Sequence, residues 1–237
     1  MTILEERINK IKSKGYWRVL IRPTTFETRR IPTFSGARQI IDSSKVSLRG
    51  WDYPFWQDSE AKNVGEYVEC SVDWSQYVEY WRFYRSGQFM HLFAVHEDHT
   101  DVEKSLGTSY PPRPKRSGYL SFIGATLIVT EIFEFAARLA SKDILSPAAF
   151  VSIGLYNMYD HQLAAFDPRR LMPDRYVRES SEPIVFETQV SEQDLISKTD
   201  ELALDAVVEI FEHFNWNNPP RDILAEDQRR LRERRLH

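Results

Sequence analysis

The sharpest candidate for chemistry in this sequence is the run His96-Glu97-Asp98-His99, followed by Asp101. Two imidazoles three residues apart beside carboxylates are the side chains that hold zinc or a related divalent cation. The run lacks the His-Glu-x-x-His spacing that sets two ligands and a general base on one helix face. It stands where a strand runs into a loop, and a solvated strand end is the competing reading. His96, His99 and Asp101 are therefore the metal alternative, and no cofactor is expected.

A second constellation is aromatic. The segment Arg49-Gly-Trp-Asp-Tyr-Pro-Phe-Trp56 cannot be regular throughout, because Gly50 and Pro54 interrupt it. It reads as an ordered loop in which Arg49, with five donors, meets Asp52. Trp51, Tyr53 and Trp56 would then line a ligand pocket. Downstream, residues 77–85 and 88–96 read as two strands joined by Ser86-Gly87 as a two-residue turn. That register sets Arg82 opposite His91, with Tyr80, Tyr84, Phe89 and Phe93 around the pair. An exposed face of this kind stacks bases while Arg82 meets phosphate; a covered one is core, where phenylalanines usually sit. The candidate ligand-binding residues are Arg49, Trp51, Asp52, Tyr53, Trp56, Arg82 and His91.

Weaker signals remain. Pro173-Asp174 ahead of Glu187-Thr188-Gln189 has the outline of a restriction-type nuclease site, with glutamine where that chemistry wants lysine. Glu131 and Glu134 lie three apart on an apolar helix, close enough to share a metal or a proton, but no Glu-x-x-His accompanies them. Glu134 and Arg138 have the spacing of a helical ion pair. Cys70 sits in a strand beside Glu69, a poor setting for a thiolate, and reads as a packed residue. Nine glycines supply no phosphate-cradling loop and no G-x-S-x-G elbow. Arg229, Arg230, Arg232, Arg234 and Arg235 crowd the C-terminus. They read either as helix-end cations favoured by the dipole or as a contact for nucleic acid or another acidic partner.

Positioning these groups takes a folded core. The chain has 237 residues, 42% of them hydrophobic and 13% aromatic, with a formal charge of −4. That suits one domain, residues 1–237, and gives no long-range pull towards nucleic acid or membrane. One cysteine excludes an internal disulfide. The charged N-terminus is no secretory signal, and Glu131, Glu134 and Arg138 break the apolar tract at 119–140 before it could span a bilayer. The cytoplasm follows by elimination, without a membrane partner.

Periodicity places a helix at 3–14, strands at 16–22 and 66–74, and a helix at 36–45 capped by Ser35, followed by a short strand at 46–48. The aromatic hairpin occupies 77–96, and a mobile, proline-rich polar loop occupies 97–118. Long helices follow at 119–141 and 191–214, the latter opened by Ser191 and Asp194 as a capping box. Between them stand a hairpin of 150–158 with 162–166 and a strand at 184–190. A last helix begins near Arg221, after two prolines. The expected class is α+β: one antiparallel sheet, carrying the aromatic hairpin, packed against the long helices, with a C-terminal helix that docks by its first half.

The tracts GYWRVLIRPT (15–24), SLRGWDYP (47–54), VEYWRFYRSGQF (78–89), TEIFEFAARLA (130–140) and NWNNPPRDILAEDQRRLRERRL (215–236) resemble a family of bacterial proteins of similar length with no assigned activity. The resemblance implies a self-contained domain and nothing more. In that family's pattern a histidine often follows the WDYP tract, where this chain has Phe55. The expected role is a non-catalytic binding or regulatory module acting on a protein partner. A nucleotide or nucleic-acid binder using the aromatic and arginine residues is the second reading. A metal-dependent hydrolase is the third.

Overall fold

The computed structural model describes residues 2–100, 115–167, 170, 172 and 174–233. Helix α1 (Ile3–Lys12) opens on a reciprocal capping box between Thr2 and Glu5. Strand β1 (Tyr16–Pro23) follows. Helix α2 (Phe34–Ser44) starts two residues before the expected position, because Thr33, not Ser35, supplies the capping oxygen, to the Gly36 amide. Strands β2 (Lys62–Val64), β3 (Tyr67–Trp74), β4 (Tyr77–Tyr84) and β5 (Phe89–Ala94) form a meander. A 3-10 turn at His96–His99 closes this half.

The second half runs β6 (Gly118–Ser121), α3 (Phe122–Ala140), β7 (Ala148–Tyr156), β8 (His161–Ala164), β9 (Ile184–Ser191), α4 (Glu192–Ser197), α5 (Thr199–Glu212) and α6 (Arg221–Arg232). Seven strands form one antiparallel sheet in the order β2-β3-β4-β5-β1-β7-β9. The fold is α+β, as the periodicity expects. Among the described residues no helix is long and apolar enough to cross a membrane.

One row across the sheet shows how the core is built. Trp81, His91, Val19, Ile153 and Phe186 are successive cross-strand partners, and all five are buried. Strand side chains alternate between faces, so this row and those two residues on either side present one apolar surface. Helix α3 covers it, with Phe135 tilted against Phe89 at 4.7 Å and Phe133 edge-on to Phe186 at 6.4 Å. The opposite face, bearing Val78, Tyr80, Leu92 and Ala94, packs against Ile11 of α1.

Five expectations are corrected. The hairpin register is shifted by one: Trp81, not Arg82, faces His91, and Arg82 faces Met90. Three residues, Arg85 to Gly87, make the turn, with the Tyr84 amide donating to the Gln88 carbonyl at 2.8 Å. Gly87 takes the left-handed conformation, φ 86°, that such a three-residue hairpin places at its bulge. Arg85 is drawn out of the ladder, its amide bonded to the Glu66 carbonyl and its own carbonyl to the Ile31 amide. A one-residue slip exchanges faces. Tyr80, Arg82 and Tyr84 therefore lie on the α1 side, and Phe89, His91 and Phe93 on the α3 side.

The expected helix at 119–141 begins only at Phe122, because residues 118–121 pair in parallel with β8, and Ser121 caps the helix through the Gly124 amide. For the same reason β7 and β8 are not a hairpin: β1 and β9 already occupy both edges of β7. The expected helix at 191–214 breaks at Lys198 (φ −121°, ψ 26°), where the Thr199 hydroxyl takes the Leu195 carbonyl. The expected strand at 46–48 is a single bridge, Val46 to Tyr53. Most of the expected polar loop, residues 101–114, lies outside the described residues.

Candidate functional site

The loop at 45–56 folds over the end of the sheet. Its neck is the Val46–Tyr53 bridge, with reciprocal hydrogen bonds of 2.8 and 2.9 Å. Gly50 at its tip needs φ 82°. Arg49 does not pair with Asp52. It reaches α3 instead and donates to Glu131 Oε2 through Nε at 3.0 Å and Nη2 at 2.6 Å. Asp52 accepts from the Ser47 hydroxyl and lies 3.7 Å from Lys45 Nζ. Trp51 is stacked between Phe55 and Tyr77, at 5.0 and 4.4 Å.

Between this loop, β4–β5 and the start of α3 lies a cleft of about 480 Å³. Arg49, Trp51, Asp52, Tyr53 and His91 line it, together with Glu79, Phe93, His96 and Glu97. Two of the sequence-derived candidates lie elsewhere. Trp56 stacks on Trp81 at 5.8 Å. Arg82, on the far face of the sheet, sits over the Tyr67 ring at 4.6 Å and lies 3.7 Å from Glu69.

The cleft floor carries polar groups. Glu79 accepts from Trp51 Nε1 at 2.8 Å and from the Phe55 amide at 3.2 Å. Its Oε2 lies 2.8 Å from His91 Nε2, off the hydrogen-bonding axis, and His91 Nδ1 has no partner among the described residues. The Tyr53 hydroxyl and Glu131 Oε1 are likewise buried without a partner there. Burial pushes the Tyr53 phenol well up, and Glu79 and Glu131 add to the shift. Burial also raises Glu131, offset in part by Arg49. Glu97 rises for the same reason, although the Ser121 amide donates to it at 2.8 Å. His96 is lowered by burial and by the Arg49 charge.

The His96–His99 run does not converge. His96 leans on the Tyr77 ring at 5.2 Å, whereas Asp98 turns to His161. Asp101 lies outside the described residues, among which no three metal-ligating side chains gather. Glu187 accepts from the Ser152 hydroxyl and Asp174 from the Tyr176 hydroxyl. Cys70 is buried, and burial pushes its thiol up to about 11.

The C-terminal helix docks along its described length, not by its first half alone, since Leu231 is fully buried. Arg229 pairs with Glu226 and Glu233, Arg230 with Glu226, and Arg232 with Glu134 and Asp200. Glu134 also takes Arg138 at 2.9 Å, the helical pair that the spacing predicts. Arg234 and Arg235 lie outside the described residues.

Sequence reasoning missed Glu79 and the role of Glu131, and singled out Glu97 only as part of a metal-binding run. Glu79 left a signal: it alternates with Trp81 and Phe83, so a carboxylate stands on the apolar side of its strand. Comparison with family models, curated proteins and solved structures returns no match.

Proposed function

We propose that this protein is a non-catalytic binding module whose ligand is a small molecule seated in the cleft under the 45–56 loop. One observation supports this above the rest. Tyr53 and His91 are 5% and 1% exposed, both line the cleft, and each keeps a polar atom without a partner among the described residues. A buried group left unpaired costs about 1–3 kcal/mol. Such local costs persist where a site needs the group for something else. The volume falls in the roughly 300–1,000 Å³ range of small-molecule sites, and aromatic walls with a few polar atoms are their usual lining.

The cleft also has a route to the surface. Trp51 packs on Trp74, which is 66% exposed. A protein partner covering Trp74 would feel ligand occupancy through these rings, which accommodates a regulatory role. The nucleotide reading is less well supported, because Arg82 is across the sheet and Arg49 is engaged by Glu131.

The test is Tyr53→Phe, which removes one oxygen. The free variant should melt higher than the parent, because an unpaired buried hydroxyl is gone. Its affinity for compounds found by thermal-shift and tryptophan-fluorescence screening should fall about tenfold, or 1.4 kcal/mol. A variant that melts lower, with no compound perturbing either signal in the parent, would return the cleft to a structural role.

A further inference from the structure

The charge balance of the cleft identifies the class of ligand, an inference that rests on the cleft being the ligand site. Three carboxylates line it, those of Asp52, Glu79 and Glu97, against one guanidinium, Arg49. Arg49 is already held by Glu131, a fourth carboxylate. His91 Nε2 lies 2.8 Å from Glu79 Oε2 without a hydrogen bond between them. Glu97 takes a backbone amide and has no ion pair among the described residues. Glu131 Oε1 is buried with no partner there. Asp52 has Lys45 Nζ at 3.7 Å, a cation it shares with Asp42, so negative groups still outnumber the positive groups available to face them.

Two further observations point to a ligand independently of the carboxylates. The Tyr53 hydroxyl and His91 Nδ1 are unpartnered, on side chains more than nine-tenths buried that line the cavity. Both accept hydrogen bonds: the hydroxyl through its lone pairs, and the imidazole nitrogen when the proton is on Nε2. The walls are aromatic, and ring faces attract cations.

We propose that the ligand is a small organic cation, an amine or amidinium on an apolar body, its positive group seated near Glu79 and Glu97 and its body against the rings. Carboxylates desolvated by burial gain most from a positive partner brought into the same low-dielectric surroundings. This agrees with the upward direction in which burial moves the Glu97 and Glu131 pKa values. A phosphate or carboxylate ligand would meet repulsion from the same groups.

The experiment is calorimetric titration of the full chain with four probes: benzamidine, benzyl alcohol, benzoate and adenosine monophosphate. Thermal shift and tryptophan fluorescence are read in parallel. Benzamidine should bind, raise the melting temperature and perturb fluorescence. Benzyl alcohol should bind at least about tenfold more weakly, and the two anions not at all. Glu97→Gln keeps the oxygen that accepts from Ser121 and removes the charge, so it should weaken benzamidine about tenfold without lowering stability. Equal binding of benzyl alcohol, or tighter binding of either anion, would overturn the cation while leaving the cleft as a ligand site. Benzamidine binding unchanged in Glu97→Gln would also overturn it. Silence from all four probes overturns the cation, and the Tyr53→Phe melting temperature then decides separately whether the cleft reading stands.

Discussion

His161 Nε2 lies 2.9 and 3.1 Å from the two carboxylate oxygens of Asp98, while its Nδ1 lies 3.2 Å from the Tyr159 carbonyl. With an acceptor at each ring nitrogen, only the doubly protonated ring satisfies both. The pair is 5% and 4% exposed. Burial opposes the imidazolium, but Asp98 outweighs it and the His161 pKa is raised. Asp98 also accepts from the Gly15 amide at 2.8 Å, so the pair ties β8 and the 3-10 turn to the head of β1.

A raised folded pKa fixes the sign of the pH dependence. The stabilisation is full below the ordinary histidine value, about 6.5, and is lost as pH rises through the folded value. Melting temperature should therefore decline across that window. Asp98→Asn should cost roughly 3–5 kcal/mol, the usual effect of breaking a buried pair from one side, and should flatten the decline. An equally steep profile in the variant would assign the dependence to other groups.

Glu131 is fully buried and Arg49 is its ion-pair partner. Arg49→Met should destabilise by about 3–5 kcal/mol, because the carboxylate is left buried and unpaired. Adding Glu131→Leu should recover most of that loss. A double-mutant cycle by urea denaturation measures the coupling, and additive losses would mean that the two residues act independently.

The hairpin register can be read chemically. In a Cys70→Ala background, Arg82→Cys and Met90→Cys face each other across the strands and should form a disulfide, since directly opposed Cα atoms lie about 4.5–5.5 Å apart, within the disulfide range. Cysteines at Arg82 and His91 belong to opposite faces and should stay reduced. Reversal of that pattern would restore the two-residue turn.

Deleting residues 229–237 removes Leu231, fully buried, and Arg232, which joins α6 to Glu134 and Asp200. The loss of Leu231 alone should cost about 2–5 kcal/mol. Salt-sensitive affinity for single-stranded DNA, present in the full chain and absent from the truncation at unchanged stability, would instead assign the arginines to nucleic acid.

What the sequence determined by itself was local. Alternation of Trp17, Val19 and Ile21 marks a strand with one core face, and the spacing of Glu134 and Arg138 makes a helical pair, because each depends on residues within one turn or one pleat. The aromatic loop was legible as a place where rings meet polar groups. Three decisive relationships were not. The face of β4 that meets β5 depends on Arg85 leaving the ladder for Glu66 and Ile31, nineteen and fifty-four residues away. The partner of Arg49 is eighty-two residues on, and nearby Asp52 was a plausible acceptor until folding brought Glu131 closer. Strand β8 joins β6 because β7 has no open edge. Local chemistry limits which bonds a residue can make, but among equally competent partners the choice falls to whichever one packing buries beside it. The cleft, assembled from the loop, two strands and a helix, exists only after those choices are made.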